Sequence, residues 1–156
     1  MNEKIQIDVY VGLPMILEKV KGVALAAVIG KPSSWIYPKL DRYVSDGKVR
    51  RFLPSDMPLI NNAMYLLGSE ISAHLIDYNT DREDVIRQVK ELSKIVVMSY
   101  IYTNALKQKE SWYKCRMLTR KPGGKATSFK EEHILQINMA AMQIANELKS
   151  IEFVLK

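Results

Sequence analysis

Sliding the sequence past itself by 77 residues, without a gap, lays residues 20–76 on 97–153 with ten identities. They are Val20/Val97, Ser34/Ser111, Trp35/Trp112, Gly47/Gly124, Lys48/Lys125, Phe52/Phe129, Ile60/Ile137, Asn61/Asn138, Ala63/Ala140 and Glu70/Glu147. About three would arise by chance at average residue usage. Ile29/Leu106, Lys39/Arg116, Leu40/Met117, Leu67/Ile144, Ile71/Leu148 and Ile76/Phe153 keep their chemistry. A constant spacing of this kind implies one small unit used twice. A unit this short lies near the lower limit for an independent core. Residues 1–77 and 78–156 are therefore expected to form two units that pack together and share buried surface.

Apolar residues make up 47% of the chain and charged residues 26%, the balance of a globular protein rather than a disordered one. Cys115 is the only cysteine, so no internal disulfide can form. That fits a reducing, cytoplasmic interior. Glu3 and Asp8 interrupt the start, so no signal peptide is expected. The longest clean apolar run, Val23–Ile29, is too short to cross a bilayer, and no membrane partner is expected.

Local signals sketch mostly α structure. Ile5, Ile7, Val9 and Val11 alternate with polar residues, as in a short strand or arm. Pro14 suits the first turn of a helix over about 14–21. A second helix runs from about Val23 to Ile29 and stops at Gly30, which can take a left-handed cap. Ser33 or Ser34 caps the next, to about Tyr43, with Pro38 bending it or delaying its start. Asp46-Gly47 marks a small hairpin or a plain loop. Ser55 opens a long helix to about Ile76 with an apolar face. In the second copy, Thr80-x-x-Glu83 and Ser128-x-x-Glu131 read as capping boxes, and helices are expected over about 95–106, 111–119 and 129–155. The two long helices are the natural surfaces for joining the halves or forming a homodimer.

Within Ala24–Leu40, two short helices are joined by a glycine turn. Ala26, four before Gly30, allows close approach, and Ile36, six after it, anchors the second helix on the first. Leu25, Ile29 and Leu40 complete the buried side. This is the helix-turn-helix pattern. The segment resembles the DNA-binding domain of phage-repressor (Cro-type) proteins. More narrowly, Gly30-Lys31-Pro32-Ser33-Ser34-Trp35-Ile36-Tyr37, then Gly47-Lys48, Phe52 and a long helix, resembles a family of small uncharacterised proteins of Bacteroides-type bacteria and their phages. That family shares a Gly-Lys-Ser-x-Ser-Trp-Leu-Tyr stretch, then Asn-Gly-Lys, then Phe-Thr-x-Glu-Glu. The likeness covers about 50 residues of the first copy and, more faintly, the same span of the second. It bears on fold more than on activity. Three positions depart from the pattern. Pro38 stands where the family has a polar residue, and by the gapless offset Thr103 replaces Ala26 and Lys107 replaces Gly30.

Charge points the same way. The chain carries +6, of which residues 1–77 hold +1 and residues 78–156 hold +5. Basic groups occupy corresponding parts of the two copies, and a polyanion partner follows. In a DNA reading, Ser33, Ser34 and Tyr37 face the major groove in the first copy, with Lys31 at the turn, and Arg42, Lys48, Arg50 and Arg51 hold phosphates. In the second copy Glu110, Ser111 and Lys114 fall at base-edge positions, and Arg116, Arg120, Lys121 and Lys125 fall on the backbone. Double-stranded DNA is the expected partner, in a regulatory or architectural role. The rival is a protein–protein adaptor or phage accessory protein using the same scaffold.

Trp35, Trp112, Phe52 and Phe129 are expected as core anchors. Asn61 and Asn138 fall on apolar faces and are expected to bond loop backbone. Catalysis finds little support. His74 and His133 lack companions at metal-ligand spacing, so no metal or cofactor is expected. Cys115 has no local histidine. Gly124-Lys125 is not a phosphate loop, because Thr119 replaces the required glycine and Ala126 follows the lysine.

Overall fold

A computed structural model describes residues 3–42, 44–45, 47–118 and 127–156. The protein is mostly helical. Among the described residues there are eight α-helices and two two-stranded sheets. Strand β1 (Ile5–Asp8) runs straight into α1 (Val9–Leu17). Helix α2 (Gly22–Ile29) follows, then a 3-10 turn (Ser33–Trp35) and α3 (Ile36–Leu40). A hairpin of β2 (Val44–Ser45) and β3 (Lys48–Val49) leads to the long α4 (Asp56–Ala73). Then come α5 (Arg82–Ser93), α6 (Met98–Asn104), α7 (Glu110–Met117), the long α8 (Glu131–Ser150) and β4 (Ile151–Val154). No helix among the described residues is long and apolar enough to cross a membrane.

The elements that end in the two long helices recur with the sequence offset. The stretch 33–40 corresponds to α7 at 110–117, and α4 and α8 stop at equivalent residues, Ala73 and Ser150. The long helices pack on each other within one chain. They cross where Gly68 meets Ala145, residues that are themselves equivalent. A Cβ on Gly68 would lie 2.9 Å from the Ala145 carbonyl oxygen, so only glycine permits this approach. Ile60, Met64, Leu67 and Ile71 of α4 and Ile137, Ala141, Ile144 and Leu148 of α8 are buried at this seam. Their spacing is the helical stripe that the sequence displays.

Two further links tie the halves with near-twofold symmetry. Past α4 the chain extends, and Asn138 of the other half bonds both backbone groups of Ile76, accepting its N–H and donating to its carbonyl, each at 2.9 Å. Past α8, Asn61 does the same for Phe153, at 2.7 and 3.0 Å. The corner before α2 meets the corner before α6. There Lys21 N–H donates to Ile95 O and Val97 N–H to Lys19 O, both at 2.8 Å. Val20 and Val96 are fully buried at that crossing. Lys19 adds an ion pair with Glu147 at 2.7 Å. Burial favours the neutral amine there, but the hydrogen bond and charge of Glu147 outweigh it and hold the Lys19 pKa above its ordinary value.

Several local expectations shift. Helix α1 spans 9–17 rather than 14–21, so Pro14 lies inside it and withholds one N–H. The reason is tertiary: β1 pairs in parallel with β4, Ile5 opposite Ile151 through Asp8 opposite Val154, and the chain turns into helix where that ladder ends. The same pairing makes 151–154 a strand, where the sequence predicts helix to about Leu155. Asp81, not Thr80, caps α5, accepting from the N–H groups of Glu83 and Asp84. Ser55 makes no capping bond. Instead Asp56 accepts the Leu53 N–H at 2.8 Å. Ser128 likewise lies ahead of the cap, Lys130, whose N–H donates to His133 Nδ1 at 3.0 Å. Asp56 and His133 are equivalent positions doing the same task.

Candidate nucleic-acid interface

The first copy builds the helix pair that its sequence predicts. Gly30 ends α2 at φ +86°, a left-handed conformation that lets the Gly30 and Lys31 N–H groups both bond the Ala26 carbonyl at 2.9 Å. Pro38 falls in the first turn of α3, where its missing N–H costs nothing, because the preceding turn is 3-10. Ile36 is buried at 1% exposure and anchors α3 on the core.

Around this anchor the candidate residues divide. Lys31 and Ser34 are exposed, and Ser33 is half-buried at the start of the 3-10 turn. Tyr37 is 43% exposed, its ring packed over Gly22 with no room for a Cβ there. Arg42 is exposed, at φ +51°, with its guanidinium 4.0 Å from the centre of the Tyr10 ring. The hairpin turns through Gly47 at φ +74° and carries Lys48, with Arg50 and Arg51 just beyond it. Lys31, Lys48, Arg50 and Arg51 are exposed, and none forms an ion pair with another described residue.

Lys48, Arg50 and Arg51 border an open cleft of about 750 Å³ between α3 and the hairpin. Trp35, Pro38, Val49 and Leu53 supply its apolar wall. Lys39 lies inside, paired with Asp56 at 3.1 Å and 5.0 Å above the Trp35 ring. The Trp35 ring meets Phe52 edge-on at 6.1 Å. Phe52 is buried, as expected, whereas Trp35 is only half-buried, part core anchor and part cleft wall.

The second copy repeats the stack with different chemistry. Arg116 lies 4.1 Å over Trp112, which meets Phe129 edge-on at 5.8 Å. A smaller cleft of about 420 Å³ is lined there by Lys107, Lys109, Trp112, Cys115 and Arg116 among others. Lys107 holds φ +54°, so the left-handed turn survives the loss of its glycine. Helices α2 and α6 start 76 residues apart, one short of the sequence offset. Tyr102 rather than Thr103 therefore stands opposite Ala26, stacked 5.1 Å from Tyr113, the counterpart of Ile36. Burial pushes the Tyr113 phenol up to about 12.

Lys114 is exposed but bound to Glu110 at 2.8 Å, and Ser111 is exposed. Arg116 is folded back: it donates to the Trp112 carbonyl at 3.1 Å, and burial lowers its pKa. Arg120, Lys121 and Lys125 lie outside the described residues, as does the Pro122-Gly123-Gly124 loop. Sequence reasoning missed Lys39, Val49 and Leu53 as parts of a cleft. Their signal was the cation and tryptophan recurring at a fixed offset, Lys39/Trp35 and Arg116/Trp112.

Among the described residues no three of His, Cys, Asp and Glu gather as a metal site. Cys115 is exposed. His74 Nδ1 lies 2.8 Å from the Glu70 carbonyl at the end of α4. Taken together, these features define a mostly helical protein in which a cation-covered tryptophan recurs at the 77-residue offset. No protein-family model, curated protein or solved structure matches the chain.

Proposed function

We propose that the protein binds double-stranded DNA through the first copy, with α3 presented to the major groove and the hairpin beside it on the backbone. The observation that carries this reading is the exposure, in one copy, of Ser34 in the 3-10 turn and Tyr37 in α3 together with the cations Lys31, Lys48, Arg50 and Arg51. A short helix held on a glycine turn is a recurrent way to enter the groove. Arginine and lysine beside it supply the sequence-independent phosphate grip. The resemblance to phage-repressor proteins supports the same assignment, with a regulatory or architectural role.

Binding of mixed duplex DNA at a series of salt concentrations tests it. Affinity is expected to fall steeply with salt, because each phosphate contact releases counterions. Serine at Lys48, Arg50 and Arg51 together should lower the log–log slope by about 2.7, at ~0.9 per contact. A matched change at Arg116, Arg120 and Lys121 asks whether the second copy contributes. Equal losses mean two working units. No binding even at low salt would defeat the reading and leave the adaptor alternative.

A further inference from the structure

Phosphate accounts for the cations of the cleft but not for its wall. Val44 and Val49 are partners across the hairpin and stand 58% and 52% exposed, and Leu53 is 49% exposed. Val49 and Leu53 face the cleft with Trp35 and Pro38. Of the four cations that line it, Lys39 is already engaged by Asp56 and by the Arg51 carbonyl at 3.4 Å. Lys48, Arg50 and Arg51 line it as exposed cations, with no ion-pair partner among the described residues. The lining thus joins exposed apolar side chains to three exposed cations.

A phosphodiester strand matches the cations and leaves the apolar wall uncovered. An apolar helix matches the wall and brings no counter-charge to the three cations. The occupant that satisfies both is a peptide whose carboxylates flank a large apolar side chain.

We infer that this cleft is a docking site for an acidic peptide segment carrying one apolar anchor. The anchor enters between Trp35 and Pro38 on one side and Val49 and Leu53 on the other. The flanking carboxylates meet Lys48, Arg50 and Arg51. Because those cations also serve the proposed DNA surface, the peptide and DNA exclude one another, and this exclusion alone rests on the DNA reading. The chain would then be released from DNA by an acidic partner.

The test uses the whole chain and a short synthetic peptide of Asp and Glu around a central Phe. Its controls are the same peptide with Ser at the centre, and polyglutamate. Calorimetry should show the Phe peptide binding about tenfold or more tighter than either control, the effect of one well-seated apolar group. The double variant Val49→Ser, Leu53→Ser changes exposed residues only. It should abolish that preference, leave the thermal melt unchanged and hold duplex affinity within about twofold. Equal binding of the Phe and Ser peptides, no binding of any peptide, or a preference that survives the double variant would overturn the inference. So would a loss of duplex affinity in step with the peptide, which would assign the cleft to DNA. If the chain ignores DNA yet keeps the Phe preference, the DNA reading falls and the docking site stands.

Discussion

At the turn between the paired helices, one half of the molecule places Gly30 at φ +86° and the other places Lys107 at φ +54°. At the start of the long helix, one half uses the carboxylate of Asp56 and the other the imidazole of His133. Across the seam, by contrast, both halves use asparagine, and in the same way. Turn and cap are local devices, each with several chemical solutions. The clasp between halves must satisfy a donor and an acceptor on one buried residue, and a carboxamide does both at once. Side chains have drifted where the backbone accepts substitutes and stayed fixed where it does not.

The largest expected effect tests that fixed point. Asn61→Ala strands the N–H and carbonyl of the buried Phe153, and Asn138→Ala does the same to Ile76. Each should cost about 2–4 kcal/mol in denaturant unfolding, because two buried backbone groups lose their partners. Similar losses would establish the clasps as equal. A much smaller loss at one of them would break the symmetry and identify the half whose tail is held by other contacts.

The cap is next. His133 Nδ1 can accept from Lys130 only as the neutral ring. The ring stands edge-on to Trp112 at 5.0 Å. Burial, followed by the charges of Arg116 and Lys130, holds its pKa below the ordinary value, with Glu132 opposing them. A folded state with the lower pKa binds fewer protons than the unfolded chain. The stabilisation is therefore complete above the unfolded value of about 6.5 and is lost as pH falls toward the folded value. Thermal melts between neutral and mildly acid pH should show this decline. His133→Asp transplants the device of the first half and should remove that component. His133→Ala should cost about 1 kcal/mol at neutral pH. A decline that persists unchanged in His133→Asp would place the titrating group elsewhere.

The smallest effect concerns the turn. Lys107→Gly relieves a left-handed conformation that costs an ordinary residue about 1–2 kcal/mol, offset by about 0.5–1 kcal/mol of added unfolded-state entropy. A net gain of about 0.5–1 kcal/mol in equilibrium unfolding is expected. A loss would mean that the Lys107 side chain contributes packing that outweighs the strain.

Much of the architecture was legible because its causes are local. The α2 stop at Gly30, the hairpin at Gly47, the delayed start of α3, two residues ahead of Pro38, and the buried stripe of α4 each depend on residues within a few positions of one another. Asn61 and Asn138, polar residues on apolar faces, could be read as binders of backbone. The candidate face was legible in part. Lys31, Ser34, Lys48, Arg50 and Arg51 are exposed as the pattern requires, whereas Arg42 lies on Tyr10, Lys114 on Glu110 and Arg116 on Trp112. Those three contacts depend on rotamer and neighbour, which charge counting ignores.

The sequence by itself determined that a unit occurs twice, where most of its helices and turns fall, and which stripes are apolar, because propensity and periodicity act over one or two turns of chain. Only the tertiary structure decided that each asparagine reaches the tail of the opposite half. It also decided that 151–154 becomes a strand against residues 5–8, and that a cleft opens between α3 and the hairpin. Asn61 and Phe153 are 92 positions apart. At such separation the partner is selected by how the long helices cross at Gly68 and Ala145, a property of their packed surfaces that no short window of residues contains.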